Sequence, residues 1–277
     1  DNIGYTPPAL AAVLDALVGR VGRYLYTSTS NVYPWNFPRT WREEEAPLTP
    51  GSSHHPPPAD EYAANKRACE LYLRRQSVPW TVLRPSIVSG RADNVRIPPA
   101  RLLERGENGS RSLFLPCRVL DRGPILLRED DESIFQLLWA RDLGQAYAVI
   151  LAHEESRWQA YNIAGPEVWN PMRVIRKLAE VAGVEAEIVY VPARFLQELN
   201  LEEYCWPPWG QGRYWASFET HKLEALGWKP TDATVWFKTL VESMPPPHER
   251  PRNATRLKEI ALARALQQRL YSSHFRS

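Results

Sequence analysis

The sequence predicts an α/β protein built on a parallel sheet, and three observations carry that reading. Short apolar strands at Val21–Thr27 and Val78–Arg84 bracket a helix from Glu61 to Arg75, which is the strand, helix, strand rhythm of a parallel crossover. A second alternation follows at Ala140–Ala152 and Ala160–Ala164, helix first and then strand. Both early strands also run straight into polar, chemistry-bearing residues, TSTSN after the first and RPS after the second. In an open parallel sheet, ligands bind outside the carboxyl ends of the strands.

Each element has its own warrant. Leu10, Val13, Leu14 and Leu17 make one stripe of a helix over Pro8–Leu17. Residues 34–59 are proline-rich and irregular, after which Asp60 is a good cap for the helix Glu61–Arg75. From Asp93 to Glu132 the text is rich in Arg, Pro and Gly and poorly periodic, so it reads as loops with short strands. Gly165-Pro166 stops the strand Ala160–Ala164, Pro171–Ala182 is amphipathic, and Ala186–Val191 is a further strand. Residues 193–242 hold a Trp-rich stretch and a last helix pattern. The prolines at 245–247 act as a stop, and Asn253 can cap a tail helix from Thr255 to Leu270. That tail has two destinations open to it, its own lobe or another subunit. Asn253-Ala254-Thr255 is formally a glycosylation sequon, but capping is the better reading without a secretion signal.

Composition narrows the function. With 277 residues, 44% of them hydrophobic, the chain can bury a sizeable core. Thirty-four Lys and Arg against 32 Asp and Glu leave a net charge of +2, which predicts no electrostatic grip on nucleic acid or an anionic membrane. Cys69, Cys117 and Cys205 are odd in number and show no C-x-x-C spacing, which suits a reducing compartment. His54-His55 and His221 lack metal-site spacing. No apolar run is long enough for a membrane helix and no signal peptide is visible, so the expectation is a soluble, cytoplasmic protein without a metal.

The chemistry starts at Tyr62-Ala63-Ala64-Asn65-Lys66. Spacing of i and i+4 puts phenol and ammonium on one helical face, where they converge. Alone the pair is weak; beside the two strand ends it is not. The combined pattern runs Ser28-Thr29-x-x-Val32-Tyr33, then Tyr62-x-x-x-Lys66, then Arg84-Pro85-x-x-Val88-x-Gly90. It resembles the extended short-chain dehydrogenase/reductase family, in particular its NAD-dependent epimerase/dehydratase group acting on nucleotide sugars and related substrates. Trp139-Ala140-Arg141-Asp142-Leu143, Tyr161-Asn162-Ile163-Ala164-Gly165 and Leu226-Gly227-Trp228-Lys229-Pro230 look like later landmarks of the same family, so the resemblance spans nearly the whole chain.

The resemblance implies a Rossmann-like doubly wound parallel sheet lacking its first strands, with a smaller C-terminal substrate lobe. Residues 1–92 would be the later part of the NAD(P)-binding domain, 93–244 the substrate lobe with returning elements at about 133–165, and 245–277 a tail helix. It implies Thr29, Tyr62 and Lys66 as the catalytic set, NAD or NADP as cofactor, and Ser28, Tyr62, Lys66, Pro85, Ser86, Ile87 and Val88 as its contacts. A nearby cation favours a phenolate, which is what Lys66 would supply to Tyr62. Other readings stand beside these. Thr29 can simply cap a strand end, Ser28 can support the turn, Arg84-Pro85 can merely end a strand, and Asp142 is better read as a structural cap than a catalyst. Trp206, Trp209, Tyr214 and Trp215 form either an aromatic wall over a substrate or core packing.

Two departures matter. Family dehydratases carry an Asp-Glu pair directly after the Thr, whereas here the residues are Ser30 and Asn31, which leaves epimerisation or carbonyl/alcohol redox chemistry. No Gly-rich turn joins a first strand to a helix, and Gly19-x-x-Gly22 follows a helix instead. The expectation is an N-terminal truncation of about 60 to 70 residues, a fragment inactive by itself. The competing expectation is a catalytically silent binding or regulatory protein on the same scaffold. A homodimer remains open.

Overall fold

The computed structural model describes residues 1–35, 37–48, 59–90, 111–199, 201, 204, 214–244 and 254–274. In chain order its helices are α1 (Pro7–Leu17), α2 (Ala59–Leu73), α3 (Arg111–Asp121), α4 (Ala140–Ala152), α5 (Pro171–Ala182), α6 (Ala193–Glu198), α7 (His221–Glu224), α8 (Ala233–Glu242) and α9 (Ala254–His274). Its strands are β1 (Tyr24–Thr27), β2 (Thr40–Trp41), β3 (Trp80–Pro85), β4 (Ile87–Ser89), β5 (Ile125–Arg128), β6 (Ile134–Trp139), β7 (Gln159–Ile163), β8 (Val168–Trp169), β9 (Ile188–Val191) and β10 (Trp215–Phe218). The chain divides into two units. One is drawn from Asp1–Val88, Ile134–Val168 and Trp215–Thr231, the other from Ser89–Ser133, Trp169–Tyr214 and Asp232–Ser277.

The first unit is organised by a parallel sheet in the order β1-β3-β7. Side chains alternate across its strands, so each face collects its own core. Tyr24, Tyr26, Val82 and Ala160 pack with Leu10 and Leu14 of α1 and Cys69 and Leu73 of α2. Leu83, Tyr161 and Ile163 pack on the opposite face with Ala146 and Ile150 of α4 and with Trp228. Helices cover both faces, as a buried parallel sheet requires and as the sequence predicts. A second sheet in this unit runs β2-β10-β6-β4. Gly165 sits where it does for lack of space. A Cβ added there would lie 2.2 Å from the Leu137 carbonyl oxygen, the same oxygen that accepts the Gly165 N–H at 2.9 Å. Gly165→Ala should therefore lower stability by about 1–3 kcal/mol, read as a shifted denaturant midpoint; an unchanged midpoint would refute the clash.

In the second unit β5 and β9 pair in parallel, from Ile125 opposite Ile188 to Arg128 opposite Val191. The tail helix α9 lays Ala263 and Leu266 against Leu126, Val189, Val191 and Leu196. Of its two open destinations, the tail takes its own unit. Buried charges fix it there. Glu259 accepts from Arg118 Nη2 at 2.7 Å, and Arg256 bonds both Asp121 and the Pro124 carbonyl. Burial pushes the Glu259 carboxyl up even though both guanidiniums pull it down.

Several boundaries differ from expectation for identifiable reasons. α2 spans Ala59–Leu73, so Asp60 lies within its first turn rather than capping it. Arg75 N to Tyr72 O (3.1 Å) and Gln76 N to Leu73 O (3.0 Å) tighten its exit into three-residue turns, which ends it before Arg75. β1 starts at Tyr24, since Gly22 weakens a strand and Arg23 turns its guanidinium to Thr81 and the Ile150 carbonyl. Part of the stretch expected to be loops is the helix α3. Pro116 in its interior hides the helical signal, and buried Leu115 and Val119 compensate for the missing N–H. His54, His55, Cys205, Trp206, Trp209, Asn253 and the 245–247 prolines lie outside the described residues, as do residues 91–110. Among the described residues no helix is long and apolar enough to cross a membrane, and no cluster of His, Cys, Asp and Glu is placed to hold a metal ion.

Candidate active site

The site begins where β1 ends. Thr27 is its last residue, Ser28 donates its N–H to the Leu83 carbonyl (2.7 Å), and Thr29 is still extended at φ −159°. A single 3-10 turn, Ser30–Val32, follows, and the Thr29 hydroxyl oxygen accepts its Asn31 N–H at 3.2 Å. The capping role expected of Thr29 is thus present. It occupies a lone pair of the oxygen and leaves the hydroxyl proton without an acceptor among the described residues. Thr29 and Ser28 are both buried, at 8% and 3% exposure.

Helix α2 docks against this strand end through one face. Tyr62, Lys66 and Glu70 follow one another at four-residue steps, and their environments grade from wet to dry: 37%, 2% and 0% exposed. Lys66 Nζ donates to the Thr27 carbonyl at 2.8 Å and to the Gly4 carbonyl at 3.2 Å, and stands 6.0 Å from the centre of the Tyr62 ring. Burial pulls this ammonium below the usual lysine range, with Cys69 and Glu70 opposing. One turn on, Glu70 accepts the Ser28 hydroxyl proton at 2.6 Å. Two consecutive contacts of one helix face therefore hold Thr27 and Ser28, the two residues immediately before Thr29. The Ser28 hydroxyl reaches a carboxylate, not the backbone of its own turn.

Beneath lies a buried polar network that sequence reasoning missed. Arg84, fully buried at the end of β3, forks onto Glu70 through Nε (3.0 Å) and Nη2 (2.6 Å). Its Nη1 donates to the Tyr33 hydroxyl at 2.7 Å and the Glu43 carbonyl at 2.8 Å. Tyr33 in turn donates to Asn162 Oδ1 (2.7 Å), and the Asn162 N–H reaches the Glu43 carboxylate at 2.9 Å. Desolvation alone would lower the Arg84 guanidinium, but Glu70 and Tyr33 raise it overall, so it stays charged. Arg84 is far more than the end of a strand: it ties together three separate segments, through Tyr33, the Glu43 carbonyl and Glu70 of α2. A signal was available, since Glu70 continues the Tyr62, Lys66 spacing by one more step.

The remaining expected residues lie at the same edge. Pro85 closes β3 opposite Ile163, and the Ser86 N–H donates to Ile163 O at 2.8 Å. The Ser86 hydroxyl is buried without a hydrogen-bond partner among the described residues, while Ile87 and Val88 run on into β4. Asp142 is structural, as expected: its carboxylate accepts from Thr231 N (2.7 Å) and Thr231 Oγ1 (2.8 Å).

Residues 1–164 match the family model described as the NAD dependent epimerase/dehydratase family. The chain belongs to that family. Among curated members, GDP-6-deoxy-D-mannose reductase of Pseudomonas aeruginosa is 31% identical over 191 residues, 66% of this chain and 57% of the relative. The chain thus spans little more than half of that relative's length. Solved epimerase/dehydratase structures share the fold. UDP-glucose 4-epimerase of Thermotoga maritima, solved with UDP-glucose, matches with a TM-score of 0.61 at 19% identity, covering 85% of this chain and 67% of that one. The dTDP-glucose 4,6-dehydratase DesIV of Streptomyces venezuelae, with NAD bound, gives 0.60 at 20% identity, covering 86% and 65%. RMD of Pseudomonas aeruginosa, complexed with NADPH, gives 0.54 at 21%, covering 85% and 71%.

Proposed function

We propose that this chain carries the reactive residues of an NAD(P)-dependent epimerase or reductase acting on a nucleotide sugar or a related hydroxy or carbonyl compound. The observation that supports this most is the α2 face, where a buried ammonium is fixed by two backbone carbonyls within 6.0 Å of a half-exposed tyrosine ring. A phenol titrates near about 10 in water, so proton transfer near neutrality needs a cation at its side. Tyr62 is then the acid or base. Thr29, with its proton unclaimed, orients the substrate oxygen that gains or loses a proton. The dinucleotide supplies the acceptor or donor for hydride. Of the residues expected at its nicotinamide end, Tyr62 would meet the ribose and Pro85, Ser86, Ile87 and Val88 the ring. The resemblance also assigns Lys66 to the ribose, but that residue is 2% exposed and its ammonium already donates to two carbonyls, so here it would act on Tyr62. The orphaned Ser86 hydroxyl is a polar group suited to a ligand contact there. Ser28, whose hydroxyl belongs to Glu70, would contribute through its backbone. Ser30 and Asn31 provide no carboxylate for dehydration, which favours epimerisation or simple redox chemistry.

The test is a fluorescence titration with NADH and NADPH of the chain joined to any segment its gene encodes ahead of Asp1. Saturable binding, followed by turnover with GDP-, UDP- or dTDP-sugars, is the expected result. Absence of binding at millimolar cofactor would overturn the enzyme reading in favour of a silent scaffold.

A further inference from the structure

A third tyrosine stands over the reactive pair, on a segment that no motif singled out. Lys66 Nζ lies 4.9 Å from the centre of the Tyr5 ring and 4.8 Å from that of Tyr26, so with Tyr62 the ammonium is surrounded by three aromatic rings. Tyr26 forms the buried floor. Tyr5 and Tyr62 form the rim, 52% and 37% exposed, with ring centres 6.2 Å apart and planes tilted by 49°.

The segment that carries Tyr5 is held on all sides. The Asp1 carboxylate accepts the Ile3 and Gly4 N–H groups at 2.8 and 3.0 Å and the Tyr24 hydroxyl at 2.5 Å. Asp1 also bonds β1 through its backbone, its nitrogen to Leu25 O at 2.7 Å and its carbonyl from Thr27 N at 2.9 Å. The Gly4 carbonyl accepts the Tyr26 hydroxyl at 2.8 Å and Lys66 itself at 3.2 Å. A Cβ at Gly4 would meet the Asp1 carboxylate at 2.8 Å and the Tyr26 ring at 3.2 Å, so the backbone approaches as closely as glycine allows. A half-exposed tyrosine on so fixed a turn is there for its position, since it contributes little to the core.

We infer that Tyr5 is a positioning residue of the site: its ring face covers the Lys66 ammonium on the solvent side and keeps it directed along the Tyr62 ring. The attraction of a cation to a π face needs the ring, not the hydroxyl. Water entering in its place would screen the ammonium from Tyr62 and let the lysine chain take other rotamers. This inference rests on the reading of Tyr62 and Lys66 as the reactive pair, but its physical core does not.

Two variants and two measurements separate the possibilities. Tyr5→Leu keeps apolar volume and removes the π face, while Tyr5→Phe keeps the ring. First, the chain itself is treated with an amine-methylating reagent, and modification at Lys66 is followed by peptide mass spectrometry. Tyr5→Leu should speed modification of Lys66 about three- to fivefold, with Tyr5→Phe close to wild type. Equal rates in all three would overturn the covering role whatever the enzyme does. Second, in the catalytically competent gene product, Tyr5→Leu should lower kcat about tenfold with KM within about twofold, and Tyr5→Phe should restore it. A change confined to KM would overturn the positioning role. If wild type shows no turnover while the labelling result holds, the failure lies with the enzyme reading and not with the aromatic cover.

Discussion

Replacing Arg84 by alanine is expected to cost about 3–5 kcal/mol, a large part of the ~5–15 kcal/mol that holds a typical domain. The expectation follows from what is left behind. Glu70 is fully buried and its two oxygens face the two prongs of the guanidinium, so truncation strands a carboxylate in the dry interior. Tyr33 and the Glu43 carbonyl lose their donor in the same step. Removing both charges with Glu70→Leu and Arg84→Met should recover part of the loss, since well-packed apolar residues avoid the desolvation penalty. Recovery stays partial, because Ser28 and Tyr33 still miss a partner. Denaturant titration measures all three proteins. An Arg84→Ala midpoint within about 1 kcal/mol of wild type would show that the network is wetter than its geometry says.

The second large effect is chemical. Tyr62→Phe should reduce turnover about 10²- to 10⁴-fold while leaving the melting temperature and cofactor affinity nearly unchanged. The hydroxyl sits on a side chain that is more than a third exposed, so its loss disturbs little packing. Steady-state kinetics beside a cofactor titration make the distinction, and undiminished turnover would remove Tyr62 from the role of acid or base. Lys66 is a poorer first target. Its ammonium bonds the Thr27 and Gly4 carbonyls, so a substitution there mixes chemistry with folding.

How much of this could be read from the sequence depended on whether each signal was local. Helices α4 and α5 fall at the boundaries expected for Ala140–Ala152 and Pro171–Ala182. For α5 the reason is plain: Asn170 accepts the Arg173 N–H, Pro171 opens the helix, and Gly183 closes it at φ +63°. α3 escaped because Pro116 is a local stop signal overruled by packing. The clustering of Ser28, Thr29, Tyr62 and Lys66 at one edge was legible from strand order and helical spacing. The Glu70–Arg84–Tyr33–Asn162 network was not, because a buried carboxylate and a surface carboxylate are spelled alike. Only topology distinguishes them.

The single face of α2 has a consequence for how this protein can go wrong. With four residues per step at 1.5 Å each, phenol, ammonium and carboxylate stand about 6 Å apart along the helix, a rigid gauge whose dry end must seat on Ser28 and Arg84 before its wet end is in register. Seating the helix and assembling the reactive pair are therefore one event. A population that is folded yet has its tyrosine and lysine out of alignment should not accumulate, and loss of activity in damaged or variant chains should track loss of native structure unless the change falls on the rim itself.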